Sequence, residues 1–149
     1  MVGRARPENG SGRVGRALGR TKVANDRYEQ GMAMRRSVLG NAHVDRAESK
    51  KTPFDEDFQK LITEAAWGSV WTRAGLTTRE RSLLTIAFMA ALGHHDELAM
   101  HIRATANTGA TIEDVKEVLL MVAIYGGVPA ANAAIAVAKR TYAEMDGAA

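Results

Sequence analysis

Apolar residues recur along most of this chain at helical spacing, and no stretch sustains the period-two alternation of a strand. Starting from Asp26, a candidate N-cap, the residues Tyr28, Met32 and Leu39 outline the buried stripe of a first helix that Gly40 ends. Asn41 to Lys51 is polar and reads as irregular. Thr52-Pro53-Phe54-Asp55 has the form of a helix entry. Phe58, Leu61, Ile62 and Ala65 follow at helical spacing, in a segment that continues through Trp67 to Trp71. Thr77 and Glu80 form a capping-box pattern ahead of Leu83, Leu84, Ile86, Ala87, Phe88, Ala90, Ala91 and Leu92. That run is apolar on nearly every side, which predicts a central helix, stopped by Gly93. The next helix, capped by His95 or Asp96, runs to about Thr105, and Asn107-Thr108-Gly109 turns the chain. Thr111 and Asp114 repeat the capping box before the stripe Val115, Val118, Leu119 and Val122. After the breaker Gly126-Gly127-Val128-Pro129, an Ala-rich helix passes through Ile135, Ala138 and Tyr142. The pattern predicts an all-α fold of about six helices. It also carries more apolar surface than a small bundle buries, which points to self-association.

Composition narrows this picture. With 149 residues, 46% hydrophobic and 25% charged, the chain has the profile of one globular domain. The absence of cysteine excludes disulfides, thiolate metal sites and thiol catalysis. No apolar run reaches membrane-spanning length and no signal-peptide core opens the chain, so the expected location is cytoplasmic. The net charge of +3 is unevenly placed: residues 1–24 carry six basic residues against Glu8, a net +5, and leave the rest at −2. Those 24 residues mix Arg, Gly and Ser without a period and read as a disordered basic tail, with residues 25–146 as the folded domain. The mildly acidic body offers no basic face for nucleic acid.

The residues with the most chemical capability are His94, Glu97 and His101. Their spacing of i, i+3 and i+7 sets two imidazoles and a carboxylate on one face of a helix that includes all three. A carboxylate beside an imidazole raises its pKa and fixes its tautomer, which suits a general acid or base near neutral pH. Spacing alone favours the plainer reading, a solvated Glu–His pair on a surface helix. The metalloprotease spacing of two His four apart with Glu between them is absent, so no metal site is expected. Arg79, Arg81, Arg103 and the pair Arg35-Arg36 are candidates to clamp a carboxylate bidentately. Trp67 and Tyr125 are candidate pocket walls or simple packing residues. No phosphate loop or Ser elbow is present.

Taken together, the run AWG-x-x-W (66–71), E-L-x-x-H (97–101) and IY-x-GVPAAN (124–132) resembles the carboxymuconolactone decarboxylase family. The likeness extends over nearly everything from Asp26 to Lys139, whereas residues 1–24 have no counterpart. The resemblance implies the AhpD-like all-α fold, whose peroxidase members carry C-x-x-C-x-x-x-H. Here the two Cys positions fall on His94 and Glu97 and the His on His101, so the disulfide chemistry is impossible. It further implies a homo-oligomer, hexameric or built on trimers, without a cofactor. The implied activity is decarboxylation of 4-carboxymuconolactone to the 3-oxoadipate enol-lactone in protocatechuate catabolism, the β-ketoadipate pathway. A related enzyme acting on another small carboxylated lactone, or a non-catalytic oligomeric binding protein, are the alternatives. On this resemblance His101 and Glu97 are the catalytic pair, His101 as proton donor or oxyanion partner and Glu97 as its orienter. Arg81 or Arg36 is the carboxylate clamp, and His94, Trp67 and Tyr125 line the pocket.

Overall fold

In the computed structural model, the backbone is described for residues 14–147 and the side chains for residues 26–147. Among the described residues there are seven α-helices, one π-helix and no strand: α1 (Val14–Leu39), α2 (Asn41–Ser49), α3 (Glu56–Ile62), the π-helix Thr63–Trp71, α4 (Thr78–Leu92), α5 (His95–Thr108), α6 (Ile112–Tyr125) and α7 (Val128–Gly147). The all-α expectation holds. No helix among the described residues is long and apolar enough to cross a membrane.

The helix boundaries set by side-chain chemistry agree with the sequence reading. Thr77 accepts from the Glu80 amide while Glu80 returns to the Thr77 amide, and Thr111 and Asp114 do the same for α6. The Asp114 carboxylate also takes the Arg79 guanidinium, tying the starts of α4 and α6 together. Gly93 ends α4 in the left-handed region at φ 74°, where a Cβ would be strained.

Four expectations change. The first helix begins at Val14, so residues 14–24 of the expected disordered tail are helical; residues 1–13 lie outside the described residues. Extending a formed helix adds a hydrogen bond for each residue fixed and needs no new nucleus. Asn41 to Ser49 is a helix rather than an irregular stretch. Its one apolar anchor, Val44, is fully buried, and Asp45 and Glu48 pair with Arg36 and Arg35 of α1. The buried stripe of α1 is Gly31, Arg35 and Val38, with Tyr28, Met32 and Leu39 only half-buried. The reason is a close crossing: a Cβ on Gly31 would stand 2.1 Å from the Thr63 carbonyl oxygen, and one on Gly68 would stand 2.3 Å from that of Arg27. Two glycines are what let α1 and the π-helix touch backbone to backbone. Finally, α4 is not enclosed. Ile86 and Ala90 enter the main core with Leu98, Ile102, Val115, Leu119, Val122 and the small residues of α7, while Leu84, Phe88 and Leu92 face outward and exposed.

A second, smaller core of Val38, Trp67 and Ala104 joins α1, the π-helix and α5. α5 therefore contributes to both cores, and His101 sits on it where they meet.

Candidate active site

His101 is 7% exposed, flanked along α5 by the buried Leu98, Ile102, Ala104 and Thr105. Its imidazole lies against the indole of Trp71, with ring centroids 6.3 Å apart and planes inclined by 10°. Trp71 in turn packs on Trp67 at 4.9 Å and 31°. Both indoles come from the π-helix, whose wider turn is marked by Ser69 Oγ donating to the Glu64 carbonyl five residues back at 2.8 Å. π-turns of this kind recur at functional sites. The glycine crossing with α1 fixes where this segment runs, and so where the Trp71 ring meets His101.

Burial dominates the electrostatics of His101 and pushes its imidazole down to about 4. The Glu97 charge opposes that shift, and the His43 imidazole reinforces it. His101 is therefore neutral at neutral pH. Its Nδ1 is buried without a hydrogen-bond partner, so Glu97, exposed one turn earlier, does not hold that nitrogen. The ring is oriented by stacking rather than by a carboxylate.

Trp71 also lines a cavity of about 170 Å³ with Val70, Leu76, Arg81, Leu84, Thr85 and Phe88. Arg81 is the only charged group in this lining. Its Nη2 donates to the Arg73 carbonyl at 2.8 Å, and its Nε is buried and unpartnered. Such an N–H can serve an anionic oxygen without first giving up another bond. Trp71 thus touches the imidazole and shares a cavity with the guanidinium.

The other residues singled out by sequence are not all drawn to this place. Arg36 donates to Asp45 at 2.8 Å and to Asn41 at 3.4 Å, so its guanidinium is committed at the start of α2. His94 is exposed and precedes α5 as its N-cap, at φ −83° and ψ 77°, so the helical spacing that aligned it with Glu97 and His101 does not apply. Neither His95 nor Asp96 caps the helix. Among the described residues no three His, Asp or Glu side chains gather closely enough to hold a metal ion. Trp67 is buried beneath Trp71. Tyr125 stands 82% exposed at the end of α6.

Sequence reasoning missed two neighbours of His101. Trp71 was detectable, since it lies four residues after Trp67 and shares its helical face. His43 was hidden by reading its segment as irregular; it lines a separate cavity of about 300 Å³ with Arg46, Met100 and Arg103. A larger apolar groove of about 590 Å³ between α6 and α7 carries no imidazole.

The sequence profile of the Carboxymuconolactone decarboxylase family matches residues 56–140, which include the π-helix, Arg81, Glu97 and His101. A 4-carboxymuconolactone decarboxylase of Acinetobacter baylyi is 45% identical over 119 residues, covering 80% of this chain and 89% of that protein. A nitrosuccinic acid decarboxylase of Metarhizium robertsii is 38% identical over 118 residues, covering 79% and 82%. A 4-carboxymuconolactone decarboxylase sequence of Pseudomonas putida is 52% identical over 42 residues, covering 28% of this chain and 88% of that sequence.

Proposed function

This chain belongs to the carboxymuconolactone decarboxylase family, and on that premise we propose that it is a carboxy-lyase that converts 4-carboxymuconolactone to the 3-oxoadipate enol-lactone. The step belongs to the β-ketoadipate route of protocatechuate breakdown. The substrate is a butenolide whose ring carbon bears a carboxylate and a carboxymethyl arm. When the bond to the ring carboxylate breaks, CO₂ leaves and the electron pair moves through the ring alkene into the lactone carbonyl. The resulting dienolate takes one proton at the carbon α to that carbonyl. The ring is the electron sink, so the reaction makes no demand for a cofactor.

The observation that carries this reading is a neutral His101 held dry beneath Trp71. A neutral imidazole is a weak proton donor but an effective N–H partner for an oxyanion, and its preorganised position avoids solvent rearrangement during the reaction. We therefore assign His101 to the growing charge on the lactone oxygen. Glu97, exposed one turn earlier on α5, acts on the imidazole through its charge rather than through a bond to Nδ1. Arg81 is the clamp for the carboxylate that the substrate keeps, supported by its unpartnered Nε. Trp71, with Trp67 behind it, walls the reacting carboxylate away from water. The active form is a homo-oligomer, for which the exposed outer face of α4 is the supporting observation.

The test is CO₂ release from 4-carboxymuconolactone, with nitrosuccinate and other carboxylated lactones in parallel. His101→Ala should lower turnover at least about a hundredfold, the usual scale for a group acting in the transition state. A folded, assembled His101→Ala protein with near-normal turnover would show the assignment to be wrong. Preference for nitrosuccinate would instead align the chain with its Metarhizium relative.

A further inference from the structure

His43 opens onto a cavity of about 300 Å³ between the start of α2 and the middle of α5. Arg46 follows three residues later on α2, a spacing that sets it beside His43 on one face. Met100 and Arg103 reach the same space from α5, and Leu39 and Ala42 add to its wall. The lining includes no Asp or Glu, and it shares no residue with the cavity that holds Arg81 and Trp71. The fold does not use up the two guanidiniums. The nearby carboxylates of α2 are taken by α1, Asp45 by Arg36 and Glu48 by Arg35, and Arg46 has no ion pair among the described residues. Arg103 donates to Glu144 through Nη2 alone, so its Nε and Nη1 make no bond among the described residues. The positive field is felt at His43, whose imidazole is held below the ordinary range by burial first and then by Arg46, Arg35 and Arg103.

We propose that this cavity is a second binding site, for a short aliphatic dicarboxylate. Charge sets the sign of the ligand, since cationic side chains line the space and no carboxylate answers them. Each guanidinium can take a carboxylate through two parallel bonds. Arg46 and Arg103 come from different helices, so each can hold one end of a molecule that spans the cavity. Leu39, Ala42 and Met100 give the space between them a hydrocarbon surface. A methylene chain matches that surface and an inorganic oxyanion does not. The volume is at the lower end of small-molecule sites, as a ligand of this size requires. Met100 and Arg103 bracket His101 along α5, and His43 acts electrostatically on His101, so a dianion here lies within the field of the catalytic imidazole. The site stands whether or not 4-carboxymuconolactone is the substrate.

Adipate is the probe, titrated by calorimetry into the full-length chain at neutral pH, with inorganic phosphate in parallel. The expected result is one saturable site per chain. Arg46 is exposed, so Arg46→Gln keeps the fold, and it should weaken adipate binding at least about tenfold through loss of a charge-assisted pair. Arg81→Met alters the other cavity and should leave adipate binding unchanged. Phosphate should bind at least about tenfold more weakly than adipate. A second measurement needs no variant: the His43 ring resonances of the unaltered protein should move as adipate is added and level off at the same occupancy. No saturable heat, unweakened binding in Arg46→Gln, or a His43 ring that does not respond overturns the proposal. Binding lost in Arg81→Met and kept in Arg46→Gln would put adipate in the catalytic cavity and also overturns it. Phosphate binding as tight as adipate would mean attraction of any anion, and overturns it as well. None of these readouts uses turnover, so their failure leaves the decarboxylase reading intact, and failure of that reading leaves them unchanged.

Discussion

Acid is the most revealing perturbation of this protein, because His101 is held neutral by burial. Its imidazole is lowered from an ordinary 6.5 to about 4. Desolvation is the main cause, opposed by Glu97 from the same helix and reinforced by His43 from α2. Above pH 6.5 the group is neutral in both folded and unfolded chains and contributes no pH dependence. Between pH 6.5 and 4 the unfolded chain binds the proton and the folded chain does not, so stability falls as pH falls through that window. The full shift corresponds to about 3 kcal/mol, of which about 2 kcal/mol is lost between pH 7.5 and pH 5. Two measurements check this. Urea unfolding at pH 7.5, 6 and 5 should show the loss in the unaltered chain, and His101→Gln should flatten that slope. Titration of the His101 ring protons by NMR should give a midpoint well below the ordinary 6.5 of an imidazole. Glu97→Gln should lower the His101 midpoint further, since it removes the one opposing charge. A His101 midpoint near or above about 6 in the folded protein would refute both the burial argument and its role as a neutral oxyanion partner.

Two further changes separate parts of the site. Arg81→Met should reduce kcat/KM by tens-fold or more, through loss of a charge-assisted clamp, in steady-state assays. Arg36→Met should leave kcat/KM unchanged and cost at most about 1 kcal/mol in urea unfolding, as expected of an exposed pair with Asp45; equal kinetic losses in the two variants would remove Arg81 from the clamp. Gly31→Ala should destabilise by at least about 2 kcal/mol, since the new methyl would meet a backbone carbonyl at 2.1 Å that has no side-chain freedom to move away. Its unfolding midpoint within error of the unaltered chain would mean that α1 and the π-helix can part without cost.

The legible parts of this chain were those set by local chemistry. Both capping boxes, the stop at Gly93 and the all-α class follow from residues within a few positions of each other. What failed was decided by contacts distant in sequence. Apolar spacing put Tyr28, Met32 and Leu39 in the stripe of α1, but the helix buries Gly31 and Arg35 instead. The π-helix crosses at Gly31, and Arg35 reaches Glu48 and Gln59 on two other elements. α2 was unreadable for the same reason, being short and polar and held mainly by Val44 and ion pairs to α1. At the site, helical spacing set Glu97 beside His101, but the geometry of the pair differs from that expectation. A Glu four residues earlier on a helix is within reach in principle, yet burying the imidazole turned it toward Trp71 and left Glu97 in solvent.

The all-round apolar character of α4 belongs in the same frame. A helix with this pattern should have no face left for water, yet among the described residues α4 has the core on one side and leaves Leu84, Phe88 and Leu92 exposed on the other. The exposed side is not scattered over the fold: Leu84 and Phe88 also line the cavity that holds Arg81 and Trp71. Apolar period counts which positions avoid water but does not say what each one meets, so a helix that borders the core on one side and a cavity on the other reads in the sequence as apolar all round.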